Sequence, residues 1–141
     1  MSCQNLFAAL FVTLVAAVTP VANAADLAIV VEGVASADGR VMVALFDSAA
    51  TFRRKPVRAL VAPAAVGTVR LDVTDLAPGD YAYVVYHDAN ANNALDMNAV
   101  GMPVEDFAFS NNAMGQGGAP GFDVARFALP DAGATVTVNL R

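Results

Sequence analysis

The sequence predicts an all-β domain, an antiparallel β-sandwich of about seven strands. Three observations carry that expectation. Short segments alternate apolar and polar residues with the two-residue period of a strand. Asp-Gly and Pro-Gly turns punctuate them, and no stretch carries an amphipathic helical pattern of useful length. A small barrel built from the same strands is the competing architecture, since periodicity does not separate the two.

The chain opens on an uncharged apolar run, Leu6 to Val18, followed by Pro20 and the small-residue triplet Ala22-Asn23-Ala24. The run has the length of a signal-peptide core and is too short to span a bilayer comfortably. A signal peptide over residues 1–24, cleaved after Ala24, is therefore expected, although the first five residues hold no Lys or Arg. An uncleaved apolar anchor is the alternative. Residues 25–141 then form a single domain, periplasmic or secreted, with no transmembrane segment after cleavage. The only cysteine, Cys3, lies in the leader, so the exported domain has no disulfide, and its position before the apolar run argues against a lipid-modified N-terminus. Thirteen acidic residues against eight basic ones, a net charge of −5, disfavour nucleic acid as a partner, because phosphate binding needs clustered cations.

Asp26 to Val34 places Leu27, Ile29 and Val31 on one face of a first strand. The Asp38-Gly39 turn follows, and Arg40 to Phe46, apolar on both faces, reads as a central strand. Asp47 to Leu60 breaks the pattern, with Pro56 inside it and a short helical turn expected between Ser48 and Arg54. It reads as a surface crossover. Arg53, Arg54, Lys55 and Arg58, half of the cations in the chain, cluster there, either as a solvated loop or as an adaptor surface for anionic lipid. Gly67 to Leu76 alternates Val69, Leu71 and Val73 against Arg70, Asp72 and Thr74, a strand with one wet face. The turn at Pro78-Gly79 returns the chain as Tyr81 to His87. After a long loop, Gly121 to Leu129 regains β-character, and Ala134 to Arg141 closes the chain with a clean alternation.

The chemistry gathers in the long loop, Tyr86 to Asn112. Asp88, Asn90, Asn92 and Asp96 bring oxygens at alternate positions, with Ala94 placed to offer a backbone carbonyl. Hard cations take six to eight oxygens supplied in this fashion, and the spacing resembles the first nine positions of the D-x-[DN]-x-[DN]-G calcium loop. Asn93 stands at the usual glycine, and Ala99 at the usual bidentate glutamate, so that ligand falls to Glu105, to Asp106 or to water. With only Asp88 and Asp96 anionic, the expected site is a weak Ca²⁺ site and no cofactor is required. The alternative is a loop held by Asx-turns without metal. His87 adjoins Asp88, but neighbouring strand residues point to opposite faces, so no acid–base pair is expected. His87, Asn98, Glu105, Ser110, Asn111 and Asn112 are further candidate ligand contacts, with Phe107 and Phe109 as apolar pins or stacking platforms.

Leu76-x-Pro78-Gly79-x-Tyr81, His87-Asp88-x-Asn90-x-Asn92-x-x-Leu95-Asp96-x-Asn98, Gly101-x-Pro103-x-Glu105 and Phe109-Ser110-Asn111-Asn112 together resemble the DUF2141 family of small exported bacterial proteins. The resemblance implies an exported sandwich of the Ig-like or prealbumin-like kind, and no defined activity. The family's loop resembles H-D-x-N-G-N-G-x-L-D, and this chain departs from it at Ala91 and Asn93, which occupy the two glycine positions. The reading is an exported envelope module with a binding or structural role toward an envelope component or small ligand. An envelope glycan- or lipid-acting enzyme using His87, and a lipid adaptor using Arg53–Arg58, are the alternatives. Oligomeric state is not encoded in any of these patterns.

Overall fold

The computed structural model describes residues 23–141, so the expected signal peptide lies almost wholly outside the described residues. Eight strands run in the order β1 (Ala25–Val34), β2 (Arg40–Phe46), β3 (Arg58–Pro63), β4 (Gly67–Leu76), β5 (Gly79–Asp88), β6 (Phe107–Phe109), β7 (Phe127–Leu129) and β8 (Ala134–Asn139). A 3₁₀ turn at Ser110–Asn112 and a single-turn helix, α1 (Phe122–Ala125), interrupt them. They make a three-stranded sheet ordered β4-β1-β8 and a second ordered β3-β2-β5-β6, with β7 also pairing β5. All pairs are antiparallel except β1 with β8, which run parallel. The expected sandwich is present. Among the described residues no helix is long and apolar enough to cross a membrane.

The alternation read in the sequence is the alternation of burial. Leu27, Ile29 and Val31 of β1, Val41, Val43 and Leu45 of β2, and Val69, Leu71 and Val73 of β4 fill the space between the sheets, while Arg70, Asp72 and Thr74 are exposed. Tyr81, Tyr83 and Val85 of β5 join that core, and Ala82 and Val84 point the other way. On that outer face lies a second apolar cluster. Phe52 is its hub, with ring centroids 5.4 Å from Phe46, 5.8 Å from Phe122 and 6.3 Å from Phe109. The helical turn after β2 forms as expected, Phe52 N–H donating to the Ser48 carbonyl at 3.0 Å, and it delivers Phe52 onto the sheet.

Two segments depart from the sequence reading. The crossover ends in an edge strand, β3, paired residue for residue with β2. Its burial is slight apart from Leu60 and Ala62, so pairing rather than amphipathicity defines it. Gly121 to Leu129 divides into α1 and a three-residue strand, because Ala125 is drawn into the outer cluster while Leu129 faces the inner core.

The Leu76-x-Pro78-Gly79-x-Tyr81 motif has a local cause. Tyr81 Oη–H donates to the Ala77 carbonyl at 2.7 Å, tying the strand back over its own turn. At the far end of β5, His87 is buried and its Nε2 lies 2.7 Å from the Asp38 carbonyl, to which it donates. Gly39 beside it has φ +66, and a Cβ there would collide with the Asp88 carbonyl. The Asp38-Gly39 turn is thus locked against the start of the long loop. Backbone bonds between Phe107 and Arg141, 3.1 and 3.2 Å, join β6 to the tail of β8 and link the two sheets along one side.

Candidate functional site

The long loop is organised by its own polar side chains. Asp88 is fully buried, and its two carboxylate oxygens accept the N–H groups of Asn92 and Asn93 at 3.0 and 2.9 Å. Asn90 Oδ1 accepts Asn92 N–H at 3.1 Å, and Asn92 Oδ1 accepts Ala94 N–H at 2.9 Å, successive Asx-turns. Both amide groups then donate to Asp96, Asn90 Nδ2 at 2.6 Å and Asn92 Nδ2 at 2.8 Å. Asp96 N–H donates to Glu105 Oε2 at 3.1 Å, and Val104 N–H to the Asp96 carbonyl at 2.9 Å. Asn98 Oδ1 accepts Val100 and Met102 N–H, folding a second small turn.

Asn90, Asn92, Asp96 and Glu105 are therefore brought together, whereas Asp88 is turned to backbone and Asn98 serves its own turn. Ala94 joins through its N–H. Among the described residues no three His, Cys, Asp or Glu side chains gather closely enough to hold a metal ion, so a cation here would draw on Asn and backbone oxygens. Ala91 and Asn93 take φ values of 58° and 66°. The backbone thus makes the left-handed bends for which glycine is suited, with other residues in place.

The remaining candidate contacts are turned inward. Ser110, fully buried, accepts Tyr83 N–H at 3.0 Å and donates to the Ala125 carbonyl at 2.6 Å. Asn111 Nδ2 donates to the carbonyls of Ala125 and Arg126, and Asn112 Oδ1 accepts Asn139 N–H. These three residues clamp β5, α1 and β8 together. His87 faces the inner core, as its position in β5 dictates.

What sequence reasoning missed is an apolar groove of about 530 Å³ on the outer face of the five-stranded sheet. Its floor is Val84, Phe107 and Phe109; its walls are the 95–103 turn and the glycine-rich segment 113–120. Three methionines line it, Met97, Met102 and Met114, and they are 53%, 60% and 68% exposed. Its polar surface is small, no Asp or Glu lines it, and Arg53 stands at its edge. Periodicity could not reveal it, because the lining comes from loops. The usable signal was the methionine distribution: of the methionines after residue 24, only Met42 lies elsewhere.

A second cavity, of about 580 Å³, lies across the three-stranded sheet beside Arg70, Asp72 and Gly133. It is polar and contains the exposed Arg70–Asp72 ion pair, 2.8 Å apart. His87 lines neither cavity.

No curated protein and no solved structure matches the chain. A family model described as an uncharacterised protein conserved in bacteria matches residues 29–137, from β1 into β8 and across the whole loop and groove, so the chain belongs to the DUF2141 family.

Proposed function

We propose that this protein is an exported, non-enzymatic binding module of the cell envelope, and that its groove takes an apolar small ligand. The observation that carries the reading is the groove's lining: exposed methionines over a floor of sheet residues that includes Phe107 and Phe109, in a volume typical of small-molecule sites. Apolar side chains left in contact with water at one concave place mark a site of interaction, and methionine adapts its shape to what it meets. Binding is favoured over catalysis because His87 donates to Asp38 and meets no carboxylate at a cleft. The apolar leader, residues 6–18, supports export.

Titration with a neutral naphthylamine dye tests the reading. Saturable one-to-one binding is expected, weakened at least tenfold in the Met102→Asp/Met114→Asp double variant, whose exposed positions leave the fold intact. Absence of saturable binding to the unaltered protein would end it.

A second reading concerns the loop. A weak Ca²⁺ site on Asp96 would displace the Asn90 and Asn92 N–H₂ groups it now accepts and turn their oxygens to the ion, and Glu105, whose Oε2 accepts Asp96 N–H, stands near enough to bring in the carboxylate that Ala99 does not supply. An affinity near millimolar would raise the thermal midpoint by a few degrees at about 10 mM Ca²⁺. The Asp96→Asn variant would lose that rise, and an unchanged midpoint in the unaltered protein would remove the ion.

A further inference from the structure

We propose that the groove's occupant is a free single-chain fatty carboxylate, its tail along the methionine and phenylalanine lining and its head at Arg53; this rests on the apolar-groove reading above.

Arg53 carries the inference. It is an exposed cation at the edge of a groove without a single carboxylate. It makes no ion pair among the described residues, where the pairs formed are Arg70–Asp72 and Arg126–Asp80. Its backbone has φ 60°, a left-handed conformation that costs an arginine and would cost a glycine nothing. The next residue back, Phe52, packs among three other phenylalanine rings, which fixes the backbone that carries Arg53 beside the groove. A ligand with an apolar body and an anionic head matches both the lining and this charge. A cationic head would meet repulsion, and a neutral one would leave Arg53 without an anion.

The lining also suits an unbranched chain. Methionine is itself unbranched with three rotatable bonds, so Met97, Met102 and Met114 adjust to tails of different length. Three thioethers would suit a soft metal ion too, but the volume far exceeds an ion and the neighbouring charge is positive.

The test is calorimetric titration of the full chain with saturated carboxylates of eight to fourteen carbons below their micelle concentrations. Dodecanol and dodecyltrimethylammonium provide neutral and cationic heads. Arg53→Gly is the informative variant, because glycine suits the backbone there and the fold is kept. Each added methylene is expected to tighten binding about fourfold, equivalent to about 0.8 kcal/mol. Dodecanoate should bind at least fivefold more tightly than dodecanol, and Arg53→Gly should bring the ratio of the two affinities to about one. Equal binding of carboxylate and alcohol, or tighter binding of the ammonium, would overturn the head-group assignment and leave the apolar groove standing. Failure of both carboxylate and alcohol to bind would overturn the two together. Association only with anionic phospholipid vesicles, with no binding of free carboxylate, would also overturn it in favour of surface adhesion by the basic loop.

Discussion

Ser110 Oγ accepts the backbone N–H of Tyr83 at 3.0 Å, and that contact completes the edge of β5. Two short strands share this edge: β7 pairs with Gly79 to Tyr81, and β6 with Val84 to Tyr86. Tyr83 falls between them. Without the hydroxyl the buried Tyr83 N–H would lose its partner, while the Ala125 carbonyl would keep the Asn111 amide. Ser110→Ala is expected to lower stability by about 1–3 kcal/mol, the cost of one orphaned buried group. Urea unfolding measures this, and a loss below about 0.5 kcal/mol would show that the clamp is dispensable.

Ala91 occupies a left-handed backbone position with φ 58°. An alanine there is strained by about 1–2 kcal/mol, part of which glycine gives back in unfolded-state entropy. Ala91→Gly should therefore raise stability by roughly 0.5–1 kcal/mol, visible as a higher thermal midpoint. The gain at Asn93→Gly should be smaller, because asparagine tolerates this conformation better. Destabilisation by Ala91→Gly would mean that the loop does not hold this bend in solution.

Asp88 is the loop's buried anchor, accepting two N–H groups through two oxygens. Asp88→Asn keeps the size but turns an amide N–H₂ toward one of those donors. A loss of about 2 kcal/mol is expected, with amide exchange accelerating first at Asn92 and Asn93. Uniform acceleration across the sheets, with no preference for the loop, would contradict that anchoring role.

All three tyrosines hold their protons more tightly than a free phenol. Burial is the first cause in each, strongest for Tyr83, and the charges of Asp47 near Tyr81 and of Asp88 and Glu105 near Tyr86 add to it. The folded protein therefore binds more protons than the unfolded chain above pH 10, so this stabilisation is complete below pH 10 and lost as pH rises beyond it. Alkaline titration should show tyrosinate absorbance rising late and steeply, together with loss of the β-sheet circular dichroism signal. Ordinary titration of all three near pH 10 in the folded state would refute it.

Strands with one face turned to the core were legible in the sequence, whether central (β1, β2, β5) or at a sheet edge (β4, β8), because all carry a two-residue alternation that burial reproduces. β3 was not, because an edge strand with Arg58, Ala59 and Pro63 has little face to bury and is defined by its hydrogen bonds to β2. Nor was β6, three residues that the sheet recruits from a loop. In the loop, the spacing of Asp88, Asn90, Asn92 and Asp96 correctly marked a dense polar unit. What alternation could not say is which way each oxygen turns, since Asp88 is spent on the backbone while Asp96 receives the amides. The groove had no periodic signature at all, its walls being two loop segments on either side of β6.

The paired backbone bonds between Phe107 and Arg141 have a mechanical consequence. They act as a clasp along one side of the sandwich, and the strand they grip, β6, is also the floor of the groove. Tension or bulk applied at residue 141, such as a fused tag, is transmitted directly to Phe107 and Phe109. The groove is therefore best studied with that end of the chain left untagged.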